Sequence, residues 1–184
     1  MRGVKKRVLG IGPNKGKKFK VHCPTTYLST IVFENKKIIR LTLSFDVIAH
    51  QRNHIEFYGK NGSMIVPDPN MFGGSVYICN KLGQPWKEHK TGKMSLGKIN
   101  IRTKSLRANE SPINANYRGA GLAEMAYCIE KRKKHRCSGE LSLHVLDIIQ
   151  STMRASKTGK KQKITTTCKI PKRFIEKDIK KILN

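Results

Sequence analysis

The sequence predicts an α+β fold, in which a mostly antiparallel open sheet has its helices packed on one face. Two observations predict this class. Between residues 18 and 80, apolar and polar side chains alternate with a period of two, which is typical of half-buried strands. From Ala120 onward, apolar residues recur at spacings of three and four, which is typical of amphipathic helices. The 184 residues are enough for one domain with a single core.

The first feature along the chain is a glycine-rich stretch, "VKKRVLGIGPNKGKK" at residues 4–18. Gly10, Gly12 and Gly16 have a spacing similar to that of a dinucleotide-binding loop. Such a loop needs a buried strand before it and a helix after it, because the pyrophosphate binds the free N–H groups of that helix. Here charged residues precede the glycines, Pro13 removes an N–H donor, and the following "FKVHCPTTYLSTIVFE" is strand-like. The stretch is therefore predicted to be a turn between strands.

The next segments are predicted to be antiparallel strands. Residues 18–49 form two of them, joined at "ENKK", and the alternation in the second predicts one buried face. A tight hairpin is expected at Asn61-Gly62, because this dipeptide accommodates positive backbone angles. "SVYICN" at residues 75–80 continues the sheet, and a loop-rich passage follows it. The apolar residues that alternate in the second strand are Ile39, Leu41, Leu43, Phe45 and Val47.

Two helices are predicted in the second half of the chain. The first begins at Ala120 and ends in the basic run "KRKKHR", whose charge favours a helix C-terminus. The second runs from about Glu140 to Lys157, with Ser138 as its N-cap and Gly159 as its stop. The stripe that this second helix is expected to bury comprises Leu141, Val145, Ile148 and Ile149.

The C-terminal part is predicted to contain a closing strand, "QKITTTC", and a short amphipathic helix that begins at Pro171. We therefore expect a sheet domain at residues 1–170 and a basic amphipathic tail at residues 171–184. A sheet with one uncovered side favours completion by a partner, so we expect an oligomer or a partner subunit.

The formal net charge of +26 is the most unusual property of the composition. Clustered Lys and Arg bind phosphates, but here the basic residues are spread along the chain and few aromatic residues accompany them. We interpret the charge as a compositional bias toward Lys, Ile and Asn, and nucleic-acid binding is not expected. No apolar run reaches about 18 residues, so no membrane span is expected, and the location is expected to be cytoplasmic. The five cysteines include no C-x-x-C pair and are expected to be free thiols.

Spacing alone does not locate a reaction centre. "HQRNH" at residues 50–54 has two histidines four apart, but at the end of a strand they would lie roughly 13 Å from each other, too far for one metal ion. No G-x-S-x-G elbow is present. His144 lies on the second helix beside apolar residues and is interpreted as a packing histidine.

Two loops are candidates for ligand binding. "VPDPNMFGG" at residues 66–74 has two prolines, side chains that can bond their own backbone, and paired glycines that allow close approach of another chain or a ligand. "NYRGAGLAEM" at residues 116–125 places Tyr117 and Arg118 just before a helix, where an anionic or hydroxylated ligand could bind. Ordinary turn chemistry with an exposed arginine also explains both loops, and from the residues alone we favour that interpretation over ligand binding.

Several long blocks, taken in order, resemble a known family. They are "FENKKIIRLTLSFDVIAH", "HIEFYGKNGSMIVPDPNMFGG", "NYRGAGLAEMAYCIEKRKKHRCSGELSLHVLDIIQSTMRASKTGK" and "TTTC". Together they are similar to the C-terminal domain of Gfo/Idh/MocA-type oxidoreductases over residues 7–168. The tail after Lys169 and the passage at residues 89–114 depart from the family pattern.

The resemblance implies a two-domain NAD(P)-dependent sugar or polyol dehydrogenase. In that family an N-terminal Rossmann domain holds the cofactor, and the sheet domain shapes the substrate pocket and the oligomer contact. The G-x-G-x-x-G loop, the E-K-P motif with its lysine, and the Asp/His-bearing helix of the family do not occur in this chain. We therefore expect no cofactor in this chain, no catalytic residue in it, and no activity of the chain alone.

The resemblance also implies which residues contact a sugar or polyol. By family position these are His50 at a strand end, Asn70, Tyr117, Arg118 and His135. Three alternatives remain: a basic module that binds RNA or an acidic partner, a structural subunit of a split dehydrogenase that pairs with a separate Rossmann-domain protein, and a truncated product.

Overall fold

The structure is a computed structural model that describes residues 5–98, 117 and 119–183. The chain divides into two compact units, each treated separately below. Unit 1 comprises Met1–Gln51 and His144–Thr166, and unit 2 comprises Arg52–Leu143 and Thr167–Asn184. Antiparallel sheets and helices together confirm the α+β class.

Eight strands lie in the described part of the chain, and every pair of neighbours is antiparallel. They form three sheets rather than the single open sheet that the sequence predicts. Alternation identifies strands but does not specify which strands pair, and here hydrogen bonds join only strands that follow each other in sequence. The sheets are β1 (Lys6–Val8) with β2 (Lys18–Lys20), β3 (Thr26–Val32) with β4 (Ile38–Ser44), and β5 (Ile55–Gly59), β6 (Gly62–Val66), β7 (Ser75–Cys79) and β8 (Lys87–Lys90) in that order.

The β3–β4 hairpin confirms the two predicted strands, but the expected burial of one face of β4 is wrong. Ile39 is 45% exposed and Leu43 is 51% exposed. A two-stranded ribbon buries a face only where another layer packs on it, and alternation cannot supply that layer. The hairpin therefore presents apolar side chains to solvent.

The β5–β6 hairpin is also confirmed, with its turn one residue earlier than predicted. Gly59 and Gly62 face each other across the ladder, so Lys60 and Asn61 form the turn. Gly62 has φ 141°, and a Cβ there would lie 2.5 Å from the carbonyl oxygen of Cys79. Glycine is needed at 62 because β7 passes this close to it.

Strand β8 lies in the passage that the sequence predicts to be loop. Its residues "KEHK" are all exposed and show no apolar alternation. The strand forms because its backbone completes the ladder of β7, with Val76 opposite His89 and Tyr77 opposite Glu88. A strand that forms through backbone pairing alone cannot be predicted from the alternation of its side chains.

Three helices lie in the described residues: α1 (Ala120–Glu130), α2 (Gly139–Thr158) and α3 (Glu176–Leu183). The predicted ends of α2 are confirmed. The Leu141 N–H donates to Ser138 Oγ at 3.2 Å, and Gly159 has φ 66° directly after the last residue. Helix α3 begins five residues after Pro171, later than predicted.

The predicted buried stripe of α2 is wrong in part. Val145 is 46% exposed and Ile149 is 50% exposed, whereas Ser151 is 2% exposed. The covered side carries polar groups because Asp147 on it accepts hydrogen bonds from the segment that follows the helix. A hydrophobic periodicity count does not detect a covered polar side.

The predicted closing strand "QKITTTC" is absent, since residues 160–175 contain no strand. Instead, the backbone N–H groups of Thr165 and Thr166 donate to Asp147 Oδ2 at 3.0 and 3.1 Å. His144 Nδ1 lies 3.0 Å from the Thr166 hydroxyl, in agreement with a packing role. A helix carboxylate thus takes the place of a neighbouring strand.

In unit 2, Arg136 connects α1 to α3 and to the chain before α3. Its guanidinium pairs with Glu124 on α1 and with Asp178 on α3. It also donates to the carbonyl oxygens of residues 172 and 173, and it lies 4.6 Å from the centre of the Phe174 ring. Glu124 is 5% exposed, so the arginine neutralises a buried carboxylate.

We predict that Arg136→Met strongly destabilises unit 2. The substitution keeps an apolar side chain of similar length but leaves the buried Glu124 carboxylate without its cation. The free energy of unfolding should fall by about 3 kcal/mol, the lower end of the range for removal of one partner of a buried ion pair. Urea unfolding followed by circular dichroism measures this loss.

Lys131→Met is the matched control, because its pair with Glu130 is exposed on both sides. It should change the free energy of unfolding by less than about 1 kcal/mol. Adding Glu124→Gln to Arg136→Met should recover part of the loss, since a neutral amide is less unfavourable in a buried position than a carboxylate. Equal losses in Arg136→Met and Lys131→Met would contradict the role assigned to Arg136.

We predict that the stabilisation of the fold by Asp147 decreases at acid pH. Hydrogen bonds from the backbone of Thr166 and Thr165 lower the pKa of Asp147 from 3.8 to about 2. A carboxyl whose pKa is lower in the folded state stabilises the fold above its unfolded pKa, and this stabilisation disappears as pH falls toward the folded pKa. The difference in unfolding free energy between the parent protein and Asp147→Asn should be constant above about pH 5 and shrink toward pH 2. A difference that does not change over this range would contradict the prediction.

Candidate functional site

The loop at residues 67–74 of unit 2 has a defined local geometry. Asp68 Oδ1 accepts the backbone N–H of Asn70 at 2.9 Å and caps the short 3-10 helix Pro69–Met71. The predicted bond between a polar side chain and its own backbone is therefore present. The bond holds Asn70 on the exposed side of the turn.

Phe72 directly follows this turn in an unfavourable backbone conformation. Its φ is 65° and its ψ is −78°, close to the geometry of a rare and strained γ-turn. Its N–H donates to the Pro69 carbonyl at 3.1 Å, and its ring packs edge-to-face on Tyr117 with 5.2 Å between ring centres. Strained residues persist only where their surroundings hold them, and they concentrate at ligand sites. The loop around Phe72 is the candidate site for this reason.

The paired glycines after Phe72 make a close contact within the chain. A Cβ at Gly73 would lie 1.9 Å from the carbonyl oxygen of Gly97. The Thr91 hydroxyl accepts the Gly74 N–H at 2.9 Å and lies 2.7 Å from the Gly97 carbonyl oxygen. Residues 97–98 of the same chain therefore make the close approach at Gly73, and the Pro67 ring makes the one at Gly74. This contact gives the loop a rigid base.

Two of the five predicted site residues lie at the Phe72 loop. Tyr117 contacts the Phe72 ring, and Asn70 lies two residues before Phe72 in the chain. Arg118 lies outside the described residues. His135 lies in the link between α1 and α2, and its Nδ1 is buried without a hydrogen-bond partner among the described residues. His50 belongs to the other unit.

The prediction that His50 lies at a strand end is wrong. Strand β4 ends at Ser44, opposite Thr26, where β3 begins, and one further backbone bond joins the Phe45 N–H to the Thr25 carbonyl at 2.9 Å. His50 is exposed in irregular chain six residues later. The alternation in residues 45–47 suggested a longer strand than the pairing allows.

Sequence reasoning missed Phe72 and Thr91. Phe72 stands beside the paired glycines, and a bulky residue next to a glycine pair was a usable signal of a special turn. Thr91 carried no signal, because its role depends on residues 74 and 97 that only folding brings near it.

Neither a metal site nor a dinucleotide loop is formed by the groups that the sequence singled out. Among the described residues no group of three His, Cys, Asp or Glu side chains could hold a metal ion. The loop with Gly10, Gly12 and Gly16 joins β1 to β2, as predicted, and the N–H of Gly16 donates to the Leu9 carbonyl at 2.8 Å. A strand follows this loop, so it does not fit the pyrophosphate of NAD(P), which needs a helix N-terminus.

Comparison with protein families, curated proteins and solved structures found no match to this chain. Within the described residues, no helix is both long and apolar enough to span a bilayer. The five cysteines are free thiols. The candidate site therefore rests on its own geometry and on the ordered sequence blocks.

We predict an energetic coupling between Phe72 and Tyr117. A double-mutant cycle with Phe72→Leu and Tyr117→Leu should give a coupling energy of about 0.5–1.5 kcal/mol, the range measured for aromatic pairs. Tyr58, which is 75% exposed in the same unit, serves as the control partner. Its cycle with Phe72 should give a coupling close to zero, and an equally small value for Tyr117 would contradict the contact.

Proposed function

We propose that this chain is the substrate-binding and assembly domain of an NAD(P)-dependent oxidoreductase that acts on a sugar or polyol hydroxyl. The proposal rests on the ordered blocks that resemble Gfo/Idh/MocA-type oxidoreductases. One structural observation supports it most directly: the contact between Phe72 and Tyr117 joins two of those blocks into one cluster.

The chemistry of this cluster suits a hydroxylated ligand. The amide of Asn70 provides both donors and an acceptor, and the Tyr117 hydroxyl can donate and accept. A polyol needs this mixture because each of its hydroxyl groups does both. In the proposal these residues bind and orient the substrate, while a separate domain supplies the cofactor that accepts hydride and the lysine that handles the proton.

The proposed assembly role is supported by the exposed face of the β3–β4 hairpin. Leu28 is 73% exposed, Val32 is 60% exposed and Ile38 is 63% exposed, and the register places all three on one face. Covering such a face removes apolar surface from water, which is the main driving force of stable association. In the proposal a second copy of the chain or a Rossmann-domain protein covers it, in the cytoplasm.

We predict that a polyol binds at the Asn70–Tyr117 cluster. Titration of isotope-labelled protein with myo-inositol, followed by amide chemical shifts, should move the amide resonances of residues 68, 70–74 and 117, with a dissociation constant of about 1–10 mM. Asn70→Ala should weaken binding about fivefold to tenfold, because it removes one or two hydrogen bonds.

Asn80→Ala is the control, because Asn80 is also an exposed asparagine of unit 2. It should leave the affinity unchanged. Equal weakening in both variants, or no shifts up to about 100 mM polyol, would reject substrate binding at this cluster. Measurable NAD(P) turnover by the purified chain would reject the assignment of the cofactor to a separate domain.

A further inference from the structure

The β1–β2 ribbon of unit 1 has two chemically different faces. The register pairs Lys6 with Lys20 and Val8 with Lys18, so these four side chains share one face. Arg7 and Phe19 face each other on the opposite side. We call the first side the lysine face.

The opposite side attaches the ribbon to the rest of unit 1. Arg7 is only partly exposed, donates to the Phe45 carbonyl and pairs with Asp46 at 2.7 Å. Asp46 also accepts the hydroxyl groups of Thr25 at 2.6 Å and Thr26 at 2.8 Å. The nearby carboxylate is therefore engaged on that side, and these bonds join the ribbon to the end of the β3–β4 hairpin.

In the part of the chain that the structure describes, no carboxylate forms an ion pair with the lysine face. Lys6, Lys18 and Lys20 are exposed, and none of the ion pairs in the described residues includes them. No Asp or Glu occurs before Glu34. Directly opposed residues have Cβ atoms about 4.5–5.5 Å apart, so Lys6 and Lys20 repel each other. An external anion would relieve this repulsion.

The space around the ribbon's loop is open. A Cβ added at Gly10, Gly12 or Gly16 would have no heavy atom within 4 Å apart from its immediate chain neighbours. Lys15 and Lys17 in the same loop are exposed. An extended polyanion can therefore reach the lysine face and the loop together.

We propose that the lysine face, Lys6, Lys18 and Lys20, binds the phosphate backbone of double-stranded DNA. Two-stranded ribbons fit the major groove of B-DNA, and lysines spaced about 6.8 Å apart along a strand can contact successive phosphates. A single strand is disfavoured, because its binding relies on aromatic stacking and the ribbon's one aromatic residue, Phe19, lies on the opposite face. This surface lies in unit 1 and the proposed polyol site in unit 2, and the strand register is what groups these lysines on one face.

The proposal predicts a specific salt dependence. Each phosphate that a lysine neutralises contributes about −0.9 to the slope of log affinity against log salt concentration. The triple variant Lys6→Gln, Lys18→Gln, Lys20→Gln should therefore reduce the magnitude of the slope by about 3. Between about 50 and 200 mM salt, the parent protein should lose about 40-fold more affinity than this variant. Fluorescence anisotropy with a labelled DNA duplex of random sequence measures the slope and the loss of affinity.

Two variants serve as controls. The triple Lys60→Gln, Lys81→Gln, Lys93→Gln removes the same charge from exposed lysines of unit 2 and should change the slope by less than about 1. The Lys→Arg triple at residues 6, 18 and 20 keeps the charge and should keep the slope. Since neutral side chains remove the Lys6–Lys20 repulsion, the ribbon variant is expected to fold, and circular dichroism checks this.

Three results would overturn the proposal. The first is an equal change of slope in the two glutamine triples, which would show that only total charge matters. The second is tighter binding of single-stranded RNA than of duplex DNA. The third is loss of binding to phosphatidylserine vesicles in the ribbon variant with its DNA slope unchanged, which would assign the lysine face to a membrane surface.

Discussion

Carboxylate acceptors connect segments of this chain that are distant in sequence, and the chain has only 12 of them against 38 Lys and Arg residues. In unit 1, Asp46 binds Arg7, and Asp147 binds the segment that follows α2. In unit 2, Glu124 and Asp178 both bind Arg136. A carboxylate can accept several hydrogen bonds at once, so one acidic residue can order several segments. These few acids therefore make several of the contacts between distant segments in each unit.

The same scarcity shapes the surface. Because many of the acidic residues bind other segments of the chain, most lysines have no partner of opposite charge within the described residues. Their repulsion is weak when they are dispersed, because water and salt screen it, but it is concentrated where the ladder places two lysines directly opposite each other. The lysine face of the β1–β2 ribbon is such a place. The excess of lysine in the composition thus forms a defined basic surface only where the strand register places lysine side chains on the same face.

The candidate site depends on different forces. Phe72 keeps its strained backbone because Tyr117 packs against its ring and because Gly73 after it lies against residues 97–98. No ion pair among the described residues contributes to this cluster. Charge substitutions on the ribbon should therefore leave the site intact, which allows the two proposed activities to be separated experimentally.

Local signals determined much of the secondary structure. The alternation in β3 and β4, the glycine at 62, the Ser138 cap and Gly159 act through neighbours a few residues away, so the sequence alone located these elements. The same signals did not locate β8, because its exposed side chains have no apolar period. They also did not exclude a strand at residues 162–168, because Thr and Ile favour strands wherever a partner exists.

Only the tertiary structure decided how the elements combine. It separated the strands into three sheets, left Ile39 and Leu43 exposed, and placed Phe72 against Tyr117. It also placed His50 in a different unit from Asn70 and Tyr117. The physical reason is that backbone pairing and side-chain contact depend on which distant segments meet, whereas propensity and periodicity report only on the residues within one segment.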